Sequence, residues 1–182
     1  FTSAPLTTVD EDAVYSYTVK TSDVDGDAVT LTGTTIPGWL NFDPATGALT
    51  GTPLNADVGN HNVVITATDN GAGSLTATQS FTIAVTNVND APVIDAQPFS
   101  AAENQTAVGT VVASDVDSTT LTFSLVAVDD ADSFEITNAG VLSFKTAPDF
   151  ETKSSYTLKV QASDGALSAT ATITVNVINV ND

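Results

Sequence analysis

The chain contains no cysteine and no methionine, a single histidine (His61) and a single tryptophan (Trp39). Without cysteine there are no disulfides, no thiol catalysis and no thiolate zinc site. One histidine excludes a multi-histidine metal site. Basic residues are nearly missing as well. Lys20, Lys145, Lys153 and Lys159 stand against 22 acids, for a formal charge of −18. Nucleic acids and anionic membranes both need a basic surface, so neither is a partner. No run of about 18 apolar residues is present, which excludes direct membrane insertion by a helix. The chain opens at Phe1 with neither a basic start nor an apolar stretch, so no signal peptide is visible. It reads as a piece of a longer exported protein.

Against these absences, 42% of the residues are hydrophobic, mostly Val, Ala, Leu and Ile, and Thr is abundant. That is enough apolar material for a core, and β-branched residues favour pleated strands. The acids are dominated by Asp, with Glu only at Glu11, Glu103, Glu135 and Glu151. A merely solubilising surface would use Glu freely. Excess Asp points to turns and to short-reach ligands for hard cations.

The sequence repeats itself. Asn87-Val88-Asn89-Asp90 returns as Asn179-Val180-Asn181-Asp182, and Ser22-Asp23-Val24-Asp25 as Ser114-Asp115-Val116-Asp117, both 92 residues on; Glu11 and Glu103 share that offset. Ala67-Thr68-Asp69 answers Ala162-Ser163-Asp164 at 95, so loop lengths differ by three residues between the copies. Two copies of one fold are expected, residues 1–90 and 91–182, joined where Pro92 stiffens a short link. Alternating runs such as Tyr15-Tyr17-Val19, Val63-Ile65-Ala67, Tyr156-Leu158-Val160 and Ile173-Val175-Val177 read as half-buried strands. Turn signals including Asp25-Gly26, Pro37-Gly38 and Asn70-Gly71 separate them. No window has helical periodicity. The expectation is an all-β chain of two seven-stranded, Greek-key, immunoglobulin-like sandwiches stacked end to end, with antiparallel sheets.

The repeated landmarks are almost all oxygen donors, and calcium takes 6–8 of them. A glutamate near the module start, an Asp-x-Asp, an Asp after a late strand, and an Asn-x-Asn-Asp link followed by Ala91-Pro92 resemble the cadherin family over the whole chain. The second copy, with Ala102-Glu103-Asn104, Asp149-Phe150-Glu151 and Ala162-Ser163-Asp164-Gly165, looks like an ordinary cadherin repeat. The first looks like the dystroglycan-type cadherin-like variant, from Pro37-Gly38-Trp39-Leu40, Thr46-Gly47 and Gly51-Thr52-Pro53. The resemblance implies an interdomain Ca2+ site of Glu11, Asn89, Asp90, Asp115, Asp117 and Asp164. The acidic pair Asp149 and Glu151 has no evident match in the first copy, where Asp57 is the nearest candidate, and Asn87 stands where the family has an Asp. One or two ions are expected there rather than three. The remaining donors would form outer half-sites: Asp23, Asp25, Asp27 and Asp69 at one end, and Glu103, Asp149, Glu151 and Asp182 at the other.

Other features have plainer readings. Asp10, Asp12, Asp43, Asp95, Asp129, Asp130 and Asp132 are turn or surface residues. Asp23-Val24-Asp25-Gly26-Asp27 fails as an EF-hand loop, because Ala28 and Thr34 occupy the Gly and Glu positions. Trp39, flanked by Leu40 and Phe42, is read as a core residue rather than a sugar platform. His61 is read as a solvated loop residue, and its pairing with Ser80 and Asp57 lacks the spacing of a triad. Asn104-Gln105-Thr106 matches a weak glycosylation sequon. No catalytic constellation supports an enzyme. Two functions remain. One is a calcium-stiffened extender of an extracellular bacterial adhesin, its partners the neighbouring repeats of the same chain. The other is a calcium-dependent module of a secreted protein that binds polysaccharide or another adhesin chain.

Overall fold

The computed structural model describes residues 1–180, and these divide into two compact units, the first Phe1–Val88 and the second beginning at Asn89. The first contains β1 (Thr8–Asp10), β2 (Tyr15–Thr18), β3 (Val29–Thr35), β4 (Leu40–Asp43), β5 (Ala48–Gly51), β6 (Gly59–Asp69) and β7 (Thr76–Thr86). One sheet has the order β1-β7-β6-β3 and the other β2-β5-β4. The alternation read from sequence is what the sheets bury. Tyr15, Tyr17, Leu49, Val63, Ile65 and Ile83 face inward, while Ser16, Thr18, Thr66 and Thr82 do not. A β-strand places successive side chains on opposite faces, so each strand supplies one inward row.

The second unit repeats the plan with β8 (Gln97–Ala102), β9 (Ala107–Thr110), β10 (Thr122–Val126), β11 (Phe134–Ile136), β12 (Val141–Phe144), β13 (Ser155–Ser163) and β14 (Ser168–Ile178). Its sheets run β10-β13-β14-β8 and β11-β12-β9. Phe134, Phe144, Leu158, Val160, Ile173 and Val175 form its centre, with Phe134, Phe144 and Tyr156 ring-on-ring at 4.3–5.6 Å. Among the described residues, helix is confined to single 3-10 turns at Asn55–Asp57 and Ala131–Ser133. The all-β, two-sandwich reading holds.

One pair in each unit departs from the antiparallel expectation. β1 lies parallel to β7, Thr8 to Asp10 beside Ala84 to Thr86, and β8 lies parallel to β14 over six residues. The cause is a strand that changes sheets. In the first unit Thr2 donates its N–H to the Lys20 carbonyl, next to β2, before the chain passes Pro5 and joins β7. In the second, Val93 exchanges both backbone bonds with Ser114 before β8 joins β14. A proline without an N–H cannot extend a ladder, so Pro5 suits the crossover.

His61 departs too. It lies within β6, half-buried, with Nε2 2.5 Å from the Asp57 carbonyl oxygen and its ring edge-on to Trp39 at 5.8 Å. The polar run Gly59-Asn60-His61-Asn62 hides a strand because its outward neighbours are polar on both sides. Trp39 packs against the first core and meets Tyr15 edge-on at 6.0 Å, as expected of a core residue.

Candidate metal centre

Each unit draws one glutamate inward by the same device. The residue after it takes a left-handed backbone, φ 59° at Asp12 and 61° at Asn104, a region that Asp and Asn tolerate better than most residues. That turn is fixed on both sides. Glu11 and Asp12 donate backbone N–H groups to the carbonyls of Thr86 and Pro53, and Glu103 and Asn104 donate to those of Ile178 and Pro148. Both glutamates are only 2% exposed. Each then holds the exit of its unit's last strand. The Val88 N–H donates to Glu11 Oε1 at 2.7 Å and the Val180 N–H to Glu103 Oε1 at 2.6 Å.

Around Glu103 the donors gather. Carboxylate oxygens of Glu103, Asp149 and Glu151 all lie within 4.8 Å of one another. Glu103 Oε2 accepts the Phe150 N–H at 3.0 Å, and the Asn179 side-chain amide donates to Glu151 Oε1 at 2.6 Å. Asp149 accepts from the Thr152 hydroxyl at 2.8 Å and from its N–H at 3.1 Å, and these bonds hold its carboxyl below the usual range. Three carboxylates this close repel one another unless a cation or a shared proton intervenes. An all-oxygen set around a buried glutamate is the chemistry of a hard divalent ion.

From the first unit alone no such group of three carboxylates forms around Glu11, among the described residues. Its Oε2 is buried and has no hydrogen-bond partner among the described residues. A buried carboxylate oxygen left unpaired is costly, and a cation removes that cost. Asp57 does not supply what is missing. Its Oδ2 accepts the Leu54 N–H at 3.0 Å and closes the 3-10 turn. Asn87 is exposed.

At the opposite end of each unit, Asp-x-Asp loops form Asx turns. Asp23 Oδ1 accepts the N–H groups of Asp25 and Asp27, and Asp115 Oδ1 those of Asp117 and Ser118. The late aspartates behave alike. Asp69 Oδ1 takes Gly71 and Leu75, and Asp164 Oδ1 takes Ala166 and Leu167. Each turn thus occupies one oxygen and fixes where the other can go. Asp115 Oδ2 is a second buried oxygen with no partner among the described residues. Gly71 sits so close to the Asp27 carboxylate that a Cβ there would collide with it, and Asp69 Oδ1 lies 3.5 Å from the same point.

The second unit also gathers its own link residues here. The Asp90 N–H donates to Asp117 Oδ2 at 2.6 Å, and the Asn89 amide to Asp164 Oδ2 at 2.7 Å. The Asn89 amide, with the two backbone donors, holds the Asp164 carboxyl below its ordinary range. Within that unit Asn89, Asp90, Asp115, Asp117 and Asp164 are therefore one connected set. Glu11 lies in the first unit, on the loop that follows β1. Asp182 lies outside the described residues.

The left-handed Asp12 and Asn104 were missed as positioning residues. The visible signal was an acidic or amide residue directly after each repeated glutamate. The other aspartates have local roles. Asp43 caps a turn through Ala45 and Thr46, and Asp130 pairs with Lys153 at 2.5 Å.

Comparison with known proteins agrees with two sandwiches. Residues 1–86 match the family described as "Putative Ig domain", and residues 89–176 match that described as "Bacterial Ig domain". Rat cadherin-8 is 39% identical over 118 residues, which is 56% of this chain and 15% of that protein. Human cadherin-12 is 28% identical over 208 residues, 92% of this chain and 26% of that protein. The chain thus spans 15% of the length of the first curated relatives it matches. Among solved structures, extracellular cadherin domains 1–5 of protocadherin gamma B2 are similar with a TM-score of 0.67 and 25% identity, over 98% of this chain and 39% of that one. Domains 1–2 of human protocadherin-24 have a TM-score of 0.63 at 18% identity, over 94% and 93%, a likeness of fold. The chain carries two tandem immunoglobulin-like domains with cadherin relatives.

Proposed function

We propose that these modules are calcium-binding extenders of a cell-surface adhesin of bacterial origin, working outside the cell, the first of them the dystroglycan-type cadherin-like variant. In this reading Glu11 joins Asn89, Asp90, Asp115, Asp117 and Asp164 around one or two calcium ions at the link, whose partners are the neighbouring repeats of the same chain. The observation that carries it is the repeated buried glutamate that grips its own last strand with one oxygen. In the second module two further carboxylates converge on it. Chain connectivity supports the shared site, because the Val88 held by Glu11 directly precedes Asn89 and Asp90.

Bound calcium would neutralise clustered carboxylates and tie the link to both modules, giving a stiff rod. Modules of this class bind in the range of about 0.1–1 mM, which suits an extracellular medium. Capture of polysaccharide or of another adhesin chain is the competing role. Its best aromatic platform, Trp39, packs edge-on against Tyr15 and His61 instead.

Isothermal calorimetry with calcium, alongside small-angle scattering in calcium and in chelator, tests the reading. Millimolar binding with a longer, less flexible particle in calcium is expected. Absence of binding at 10 mM, or an unchanged scattering profile, overturns it.

A further inference from the structure

Asparagine is followed by glycine once in this chain, at Asn70-Gly71, in the loop that joins β6 to β7. Such a pair is open to an internal reaction, because no Cβ on the glycine hinders its nitrogen from reaching the asparagine side-chain carbon. The two atoms close a five-membered ring, so the chain itself supplies their proximity. Two needs then limit the rate. The glycine amide must give up its proton, and the asparagine carbonyl oxygen must take on negative charge as its carbon becomes tetrahedral.

The loop meets both needs. The Gly71 N–H donates to Asp69 Oδ1 at 3.0 Å, so a carboxylate already rests on the proton that must leave. The Ala28 N–H donates to Asn70 Oδ1 at 2.9 Å, on the oxygen that gains the charge. The Asn70 N–H donates in turn to the Ala28 carbonyl at 3.0 Å, which fixes Ala28 opposite Asn70, one step beyond the paired Val29 and Asp69. The other two pairs of this kind, Asp25-Gly26 and Asp164-Gly165, have a carboxylate in place of the amide. At the second of them the Gly165 N–H is given to the Ser163 hydroxyl at 3.1 Å, which is no base. Gly165 also stands where Asn70 does at the 95-residue offset, so the second module lacks the reactive amide altogether.

We propose that Asn70-Gly71 is a self-deamidating site, with Asp69 as its base and the Ala28 N–H as the donor that stabilises the oxyanion. The Gly71 nitrogen passes its proton to Asp69 and bonds to Asn70 Cγ. The Cγ–Nδ2 bond then breaks, and Nδ2 leaves as ammonia, taking the proton held by Asp69. The product is a succinimide. Water opens it at one carbonyl or the other, giving aspartate or its β-linked isomer at position 70. Either product sets a new carboxylate beside Asp69 and near Asp27, whose carboxylate already crowds Gly71, and like charges this close repel. In the β-linked isomer the backbone also lengthens by one methylene, which breaks the match with Ala28. The first module alone thus carries an irreversible change that loosens its β6–β7 loop with age.

The test is a time course on the whole chain in neutral buffer with chelator, read by peptide mapping with mass spectrometry and by ammonia release. The parent is compared folded and in urea. A fold that merely restrains the loop slows ring closure, whereas one that catalyses it does not. The folded parent is expected to react at Asn70 ahead of every other asparagine, and no more slowly than in urea. Asp69→Asn keeps an oxygen acceptor for the Gly71 N–H but removes the base. It is expected to slow the reaction at Asn70 about tenfold, less than general bases commonly give, because Asp69 Oδ1 is shared with the Leu75 N–H. A folded parent that reacts more slowly than the chain in urea overturns the inference. So does an Asp69→Asn chain, folded by circular dichroism, that reacts at the parent's rate. Should that variant not fold, the comparison of the parent folded and in urea decides alone.

Discussion

At the scale of single residues, two polar groups in the sandwiches make measurable predictions. Tyr15 is almost fully buried and donates its hydroxyl to the Leu6 carbonyl at 2.8 Å. Burial, helped by the neighbouring Tyr17, pushes its pKa up to about 12. The folded value is raised, so the associated stability is complete below the ordinary pKa of about 10 and fades as pH rises from about 10 to 12. Tyr15→Phe removes the hydrogen bond at a cost of about 1 kcal/mol. Absorbance titration near 295 nm should lose the step near pH 12 in that variant. The Lys153–Asp130 pair behaves oppositely. The Lys153 ammonium and the Thr157 N–H hold Asp130 below the usual carboxylate range. Its stability is present above the unfolded value and lost as pH falls through the folded one. The pair is partly exposed, so Lys153→Ala should cost no more than about 1 kcal/mol, including its contact with the Tyr156 ring at 4.7 Å. Urea melts at pH 7 and pH 2.5 should show that difference shrinking in acid.

At the scale of elements, strand β5 passes closely against backbone in the first sandwich. A Cβ on Gly51 would strike the Trp39 carbonyl, where β4 begins. Gly51→Ala must push β4 and β5 apart, at about 1–3 kcal/mol, and should lower the melting of the first module while leaving the second unchanged in calorimetric scans. The inward rows of β2, β6, β13 and β14 were legible in the sequence, because a half-buried strand writes its period directly into the side chains. The parallel pairing of β1 with β7 was not, since partners some 76 residues apart leave no local mark. His61 was misplaced for a related reason. Polar residues on an exposed strand look like a loop until the partner, here Ile83 on β7, is known. The repeat alone marked Glu11, Glu103 and the two Asp-x-Asp loops, whereas Asp149 and Glu151 came only from the family resemblance. Which loop residue in the first module matches Asp149 could not be read there, because a length difference read from sequence has no position until backbone bonds such as Asp12 to Pro53 anchor it.

At the scale of the molecule, a ligand that binds only the folded state stabilises it by mass action. With dissociation constants of about 0.1–1 mM, 10 mM calcium should add about 1.4–2.7 kcal/mol per site, seen as a rise in melting temperature that chelator reverses. The two modules can melt separately, so each transition should be followed by itself. The parallel terminal strands have one more consequence, for a chain that is pulled. In each sandwich the entering strand lies beside the leaving strand and points the same way. Tension between the two ends therefore slides them past each other and loads their bonds together in shear, rather than peeling them apart singly. β8 and β14 share six paired residues, whereas β1 and β7 share three. Under force, the first module should be the one that yields.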